Sequence, residues 1–494
     1  MTREARSGTP AATGEELSGN RTQTGSSGTR AVTGEASART RAGAAVDVRL
    51  AWQLVRGSDR QEWWRLGLTA AGAALANGFA LAAVALASLH GQYRVSFGHG
   101  LLDQPGERSG VVLGLLLLLV PVLGFLGQCA RIGAVHRDRR LAGLRLAGAG
   151  PAQVRRIAAL ETGTACLLGS VLAGAVCVPL LLGLWTGPTA WTWAGTALVL
   201  LGVPVLGAAV GALALRRVVT SPLGWVRRVR PSGGRGPGLL FVAGVLLVLL
   251  LALWAVANTS STDRGRVPLT VFALVLVVGG GTVWLAGGTA GAVGRLLAGR
   301  ARTAATLIAA ERLRDDPWAA ARTHAAVLLV TVVATGFVGV RQTLLAGLHE
   351  MNRDHQLSMD MAFYTTGIDL TAVAILVALA ITLSGLAVGT AESVADRRRG
   401  LAAQVASGVP RAVLGRALLL ETALPLAPAV ALAGAGGMAI GVWYASLAQG
   451  GLIRTVPYAA LLVPVGVYAC CLLAAATSLP LLRRAAHPGE LRYT

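Results

Sequence analysis

Two carboxylates stand out by where they sit. Glu161 and Glu421 each open a long apolar run, each is followed by Thr, and each has an Arg five residues before it, Arg156 and Arg416. A carboxylate so placed either pairs with that guanidinium or faces the headgroup zone of a bilayer. The other residue types that do chemistry are scattered. His136 and His324 have no partner at ligand spacing, so neither a metal site nor catalysis is expected of them. Cys129, Cys166, Cys177, Cys470 and Cys471 lie in apolar runs with no CxxC spacing and read as small, polarizable packing residues. All 44 basic residues are Arg. A Walker A loop needs a Lys to hold phosphate, so the chain is not expected to hydrolyse ATP and reads as a non-enzyme.

The elements that must place these residues are those of a membrane protein. Of the 494 residues 54% are hydrophobic and only 14% charged, with a mean hydropathy of +0.61; a soluble domain carries about 25% charged residues. Apolar runs of about 20 residues, the length that crosses a ~30 Å hydrocarbon core, recur along the chain. They predict ten spans: 66–89, 111–130, 162–184, 191–215, 239–257, 267–288, 323–340, 370–391, 422–445 and 457–482. None holds an Asp, Glu or Arg, which disfavours an ion-coupled carrier. Their polar residues, Asn77, Gln128, Thr331, Thr335, Thr382 and Ser384, read as hydrogen bonding between helices. The Gly-rich stretches 279–281 and 434–437 read as sites of close helix packing.

A net charge of +21 invites a nucleic-acid reading; its placement argues against one. Arg clusters fall in alternate loops, leaving Arg94, Arg108, Arg264, Arg266, Arg341, Arg353 and Arg454 on the other side. That asymmetry predicts a multi-pass protein of the inner (plasma) membrane with both termini cytoplasmic and no nucleic-acid partner. Residues 1–46, rich in Gly, Ser, Thr, Arg and Glu, are expected to form a disordered cytoplasmic tail. No apolar run precedes residue 66, so no cleaved leader is expected. The stretch 46–61 mixes Leu50, Trp52 and Leu54 with Arg49, Arg56 and Arg60, as an amphipathic helix on the inner face would.

The chain also repeats itself. Across 137–162 and 397–422, ten of 26 positions are identical at a constant offset of 260: Arg137, Arg139, Leu141, Ala142, Gly148, Ala152, Arg156, Leu160, Glu161 and Thr162. Ala51 and Leu54 return as Ala310 and Leu313 before a span, and Arg216, Arg217 and Pro222 as Arg483, Arg484 and Pro488 after one. The predicted fold is therefore all-α, with two four-span halves, 47–230 and 301–494, joined by 231–300 carrying spans five and six. An even number of spans separates the copies, so they run the same way and imply a pseudo-two-fold axis along the membrane normal. Each copy starts with an Arg cluster, breaks at Gly148 or Gly408 and restarts past Pro151 or Pro410. Gly suits the left-handed position that ends a helix, and Pro the first turn of the next. Topology requires positive charge in such a loop; it does not require this spacing.

That order of Arg cluster, Leu, Gly, then Arg and Glu entering a span resembles the signature of FtsX-like permeases, the membrane subunits of lipoprotein-releasing, macrolide-exporting and bacitracin-resistance ABC transporters. The resemblance covers each half from about residue 47 onward. Its ten-span layout is closest to the bacitracin-resistance type, without the large extracytoplasmic domain usual there, since the longest predicted outer loop is 341–369. The resemblance implies that 131–160 and 392–420 rest on a separate ABC ATPase, present in two copies, which binds ATP and Mg while this chain carries no cofactor or metal. By the same resemblance Arg137, Arg139, Arg140, Arg397, Arg398 and Arg399 dock acidic grooves or lipid headgroups, and Leu141, Leu144 and Leu401 supply apolar contact. Gly148, Arg156, Glu161, Gly408, Arg416 and Glu421 complete the coupling elements. The implied function is export or extraction of an amphipathic substrate: a lipid, lipopeptide, antimicrobial peptide or hydrophobic drug. Its binding residues are not marked in the sequence. The alternative is a non-transporting module of the same fold that passes ATPase strokes to an outer enzyme or sensor kinase.

Overall fold

The computed structural model describes residues 60–89, 100–103, 105–129, 143, 146–184, 188–214, 267–448 and 457–485. Among these there are helices and turns and no strand. In chain order the helices are α1 (Arg60–Ala87), α2 (Pro105–Cys129), α3 (Pro151–Leu184), α4 (Ala190–Ala214), α5 (Val267–Ala298), α6 (Ala304–Asp315), α7 (Pro317–Arg353), α8 (Met361–Asp396), α9 (Arg398–Ala406) and α10 (Arg411–Ala448). A 3-10 turn, Tyr458–Leu461, then leads into α11 (Leu462–Ala476) and α12 (Leu479–Ala485).

Eight of these segments are long and apolar enough to cross a bilayer: those on α1, α3, α4, α5, α7, α8 and α10, and the stretch Tyr458–Leu482. The chain has the make-up of a multi-pass membrane protein. Eight predicted spans coincide with them. The predicted 111–130 falls on α2, whose apolar stretch, Gly110–Leu123, is shorter. The predicted 239–257, the tail 1–46 and the amphipathic stretch as far as residue 59 lie outside the described residues.

The stretch 341–369 is not the long outer loop expected. α7 runs on to Arg353 and α8 begins at Met361, leaving 354–360 between them. Leu344, Leu345, Ala346 and Met351 are strong helix formers, and beyond the bilayer a helix still satisfies its own backbone. α7 has 37 residues and α10 has 38; at a rise of 1.5 Å each is about 55 Å long, well beyond the hydrocarbon thickness. Arg108, assigned from the sequence to an outer loop, lies in the first turn of α2. It is buried and donates from Nη1 to the carbonyl of Leu89, 2.9 Å away, just past the end of α1.

In the first group of helices α1 packs on α2 and α3, and α3 packs on α4. In the second, α7 and α10 form the central pair, with α5 laid against both and α6 against α5 and α10. The groups meet chiefly where α2 packs on α8, around Val122, Phe125, Cys129 and Ile381. The largest core joins α5, α7, α8, α10 and α11 through Val275, Leu328, Leu386, Leu426 and Cys471. The 434–437 stretch does permit close packing: a Cβ on Gly437 would lie 2.4 Å from the carbonyl oxygen of Val332 on α7.

Of the polar residues expected to join helices, Asn77 does so, donating from Nδ2 to Ser170 Oγ at 3.0 Å between α1 and α3. Thr331, Thr335, Thr382 and Ser384 instead donate to carbonyls one turn back on their own helices. The side chain of Gln128 lies outside the described residues. Prolines interrupt the backbone ladder at Pro179 in α3 and at Pro425 and Pro428 in α10.

Candidate functional site

The second repeated turn is built as its sequence requires. α9 ends at Ala406, and Gly408 takes the left-handed conformation with φ of +94°. Its N–H donates to Val405 O at 3.0 Å, and the N–H of Val409 donates to Gln404 O at 3.0 Å. These two bonds are the Schellman pattern, which satisfies carbonyls that a helix end leaves open. α10 then starts at Arg411, straight after Pro410.

The first turn follows the same plan. Gly148 has φ of +98°. Ala147 N–H donates to Gly143 O at 3.0 Å where Ser407 N–H donates to Ala403 O at 2.9 Å. α3 starts at Pro151, the position matching Arg411. Burial repeats too: between 151–160 and 411–420 the pattern differs only where Arg155 is exposed and Gly415 half-buried. Arg156 and Arg416 are both exposed. Arg137, Arg139, Arg140, Leu141 and Leu144 lie outside the described residues.

The carboxylates find partners far along the chain. Glu161 accepts from Arg65 of α1; the side chains are 8% and 10% exposed. Glu421 is shared. Its Oε2 accepts from Arg312 Nη1 of α6 at 2.8 Å, and its Oε1 from Arg397 Nη1 at 2.9 Å. Arg397 stands between α8 and α9, so one carboxylate ties α6, α10 and the α8–α9 junction. The i−5 pairing read as one option for Glu421 does not occur. Five residues turn a helix by about 140°, which carries Arg416 off the face of Glu421.

Arg398 and Arg399 are exposed at the start of α9. Leu401 is turned inward, packed with Val394, Leu414, Leu418 and Leu482, and does not offer the outward apolar contact expected of it. Leu146, beside the first turn, is a large apolar residue exposed there. Arg65, Arg312 and Leu146 were not picked out by sequence reasoning. The one available signal for Arg312 was its place between Ala310 and Leu313, which repeat Ala51 and Leu54.

Among the described residues a polar and an apolar cavity lie along α7, α8 and α10. The polar one, of about 180 Å³, adjoins the shared carboxylate and is lined by Arg312, Asp316, His324, Ser393, Arg397 and Glu421 among others. The apolar one, of about 420 Å³, lies toward the opposite ends of these helices, against α2. Leu117, Pro121, Val333, Phe337, Ala374 and Tyr444 are among its lining residues. Apolar walls with a few hydroxyls suit a hydrocarbon guest. Among the described residues no group of three or more His, Cys, Asp or Glu side chains is placed to hold a metal ion. Comparison with protein-family models and with curated proteins gives no match for this chain.

Proposed function

We propose that the chain is the permease subunit of an ABC transporter of the FtsX-like kind, with its ATPase on a separate polypeptide present in two copies. The observation that carries this reading is the doubled turn. Two segments 260 residues apart keep the same left-handed Gly, the same helix start and a burial pattern that differs at one position in ten. A loop held only by the positive-inside rule needs none of these. In this reading the chain lies in the inner membrane with both termini cytoplasmic, and 47–230 and 301–494 are two permease halves joined by 231–300. The turns 131–160 and 392–420 receive the stroke of the ATPase, which binds ATP and Mg. The apolar cavity between α2 and the second group of helices supports an amphipathic cargo that presents a hydrocarbon portion.

The test is purification from the native membrane. An ATPase of the ABC class should co-purify, the chain alone should not hydrolyse ATP, and apolar lipids or lipopeptides should alter the turnover of the complex. Turnover that answers only to a partner protein would favour the regulatory module. Hydrolysis by the rigorously purified chain would exclude both readings. Orientation is tested with an impermeant thiol reagent on intact cells: Asn352→Cys should label, and Ala149→Cys should be protected.

A further inference from the structure

We infer that the two repeated turns have unequal jobs: Glu421 is a working joint that rearranges, whereas Glu161 is a fixed anchor. The inference rests on the permease reading only for what drives the joint. The two carboxylates occupy matching positions, yet they differ in burial, which governs whether an ion pair can open.

Glu161 and Arg65 are both about nine-tenths buried and tie two helices, α1 and α3, that pack along their length. Separating them would strand charge in an apolar contact. Glu421 is 21% exposed, and its partners Arg312 and Arg397 are 22% and 43% exposed. Those partners come from two further elements, so the carboxylate can keep one while releasing the other. The polar cavity beside it gives room for the released guanidinium, with the Ser393 hydroxyl on its wall. Water can replace the lost contact there.

The mechanical connections point the same way. Arg397 is followed directly by α9, whose Leu401 packs on Leu414 and Leu418 of α10 and on Leu482 of α12. A push on the exposed face of α9 therefore reaches α10 through an apolar contact, which Ile308 of α6 also joins, and reaches α6 by a second, charged route through Arg397, Glu421 and Arg312. If Arg397 lets go, α9 moves relative to α6 while Arg312 still holds α10. Glu421 is thus a positioning residue that sets when the turn and α6 move together.

The test uses the full chain in lipid nanodiscs with its five native cysteines replaced. Spin labels at Leu307→Cys on α6 and Ala403→Cys on α9 report the joint; both sites are exposed. Labels at Gly67→Cys and Leu146→Cys report the first turn. Glu421→Gln and, separately, Arg397→Gln should each add a second 307–403 distance, longer by roughly 2 Å or more, the scale of helix shifts in switching proteins. Glu161→Gln, or Arg65→Gln should that variant fail to fold, should leave a single 67–146 distance. An unchanged 307–403 distribution in both second-turn variants overturns the joint. A split 67–146 distribution overturns the asymmetry. Because the measurement needs no ATPase, a split 307–403 distance in a chain that recruits none would sink the permease reading and leave the joint standing.

Discussion

The first and second turns share a sequence plan and a backbone, yet they anchor their carboxylates differently. Glu161 meets Arg65 inside a tight helix pair; Glu421 meets Arg312 and Arg397 at the edge of a polar pocket. Both turns keep the left-handed Gly and the entry of the next helix at the same offset, with a Pro one position out of register. They do not share the source of the balancing charge. Arg65 belongs to a membrane-crossing helix and Arg312 to a short amphipathic one. A charge that closes a pair from inside the bundle makes a rivet. One that reaches in from a surface helix makes a clasp.

Substitutions in and around the two turns would break or sharpen that contrast. The largest effect is expected from Glu161→Gln, which leaves Arg65 buried beside a neutral amide and should cost about 3–5 kcal/mol in thermal or denaturant unfolding in detergent. Replacing both partners by Leu should recover most of the loss. A cost no greater than that of Glu421→Gln would erase the contrast. Next, Gly408→Val should cost about 1–2 kcal/mol from its left-handed backbone alone; no heavy atom lies within 4 Å of a Cβ built there. Gly408→Asn should cost clearly less, because Asn tolerates that conformation, and Gly148→Val should match Gly408→Val. Glu421→Gln should cost only about 1 kcal/mol, and the difference from wild type should shrink in high salt. The smallest effect belongs to Arg314→Gln, which opens the exposed Glu311–Arg314 pair within α6, spaced 2.7 Å. About 0.3 kcal/mol is expected there, and a larger loss would show that α6 is held by its charges more than by its packing.

The turns were legible in the sequence because their determinants are local. A left-handed Gly and a helix-starting Pro act within a few residues, so Gly148, Gly408, Pro151 and Pro410 announce themselves. The spans were legible because hydrocarbon thickness fixes their length. The ion pairs were not: Arg65 and Glu161 are 96 residues apart, and Arg312 and Glu421 are 109 apart. Only the packing of α1 on α3 and of α6 on α10 brings them together. Arg416 looked like a partner of Glu421 because it was near in sequence, but a helix turns its i−5 neighbour away. Leu401 was expected by resemblance alone to offer apolar contact; the inward turn of its helix face was settled by Leu414 and Leu482.

The prolines of α10 carry a mechanical consequence. Pro425 stands four residues beyond Glu421 and has no N–H to give that residue's carbonyl; Pro428 does the same to Leu424. Two rungs are therefore missing immediately above the clasp. In α3 the internal proline is Pro179, so the ladder has no proline between Glu161 and that point, about 27 Å along the axis. α3 is a stiff rod fixed at its foot. α10 is compliant just where it is gripped, so bending there absorbs part of any displacement of its foot before it reaches the apolar cavity at its far end.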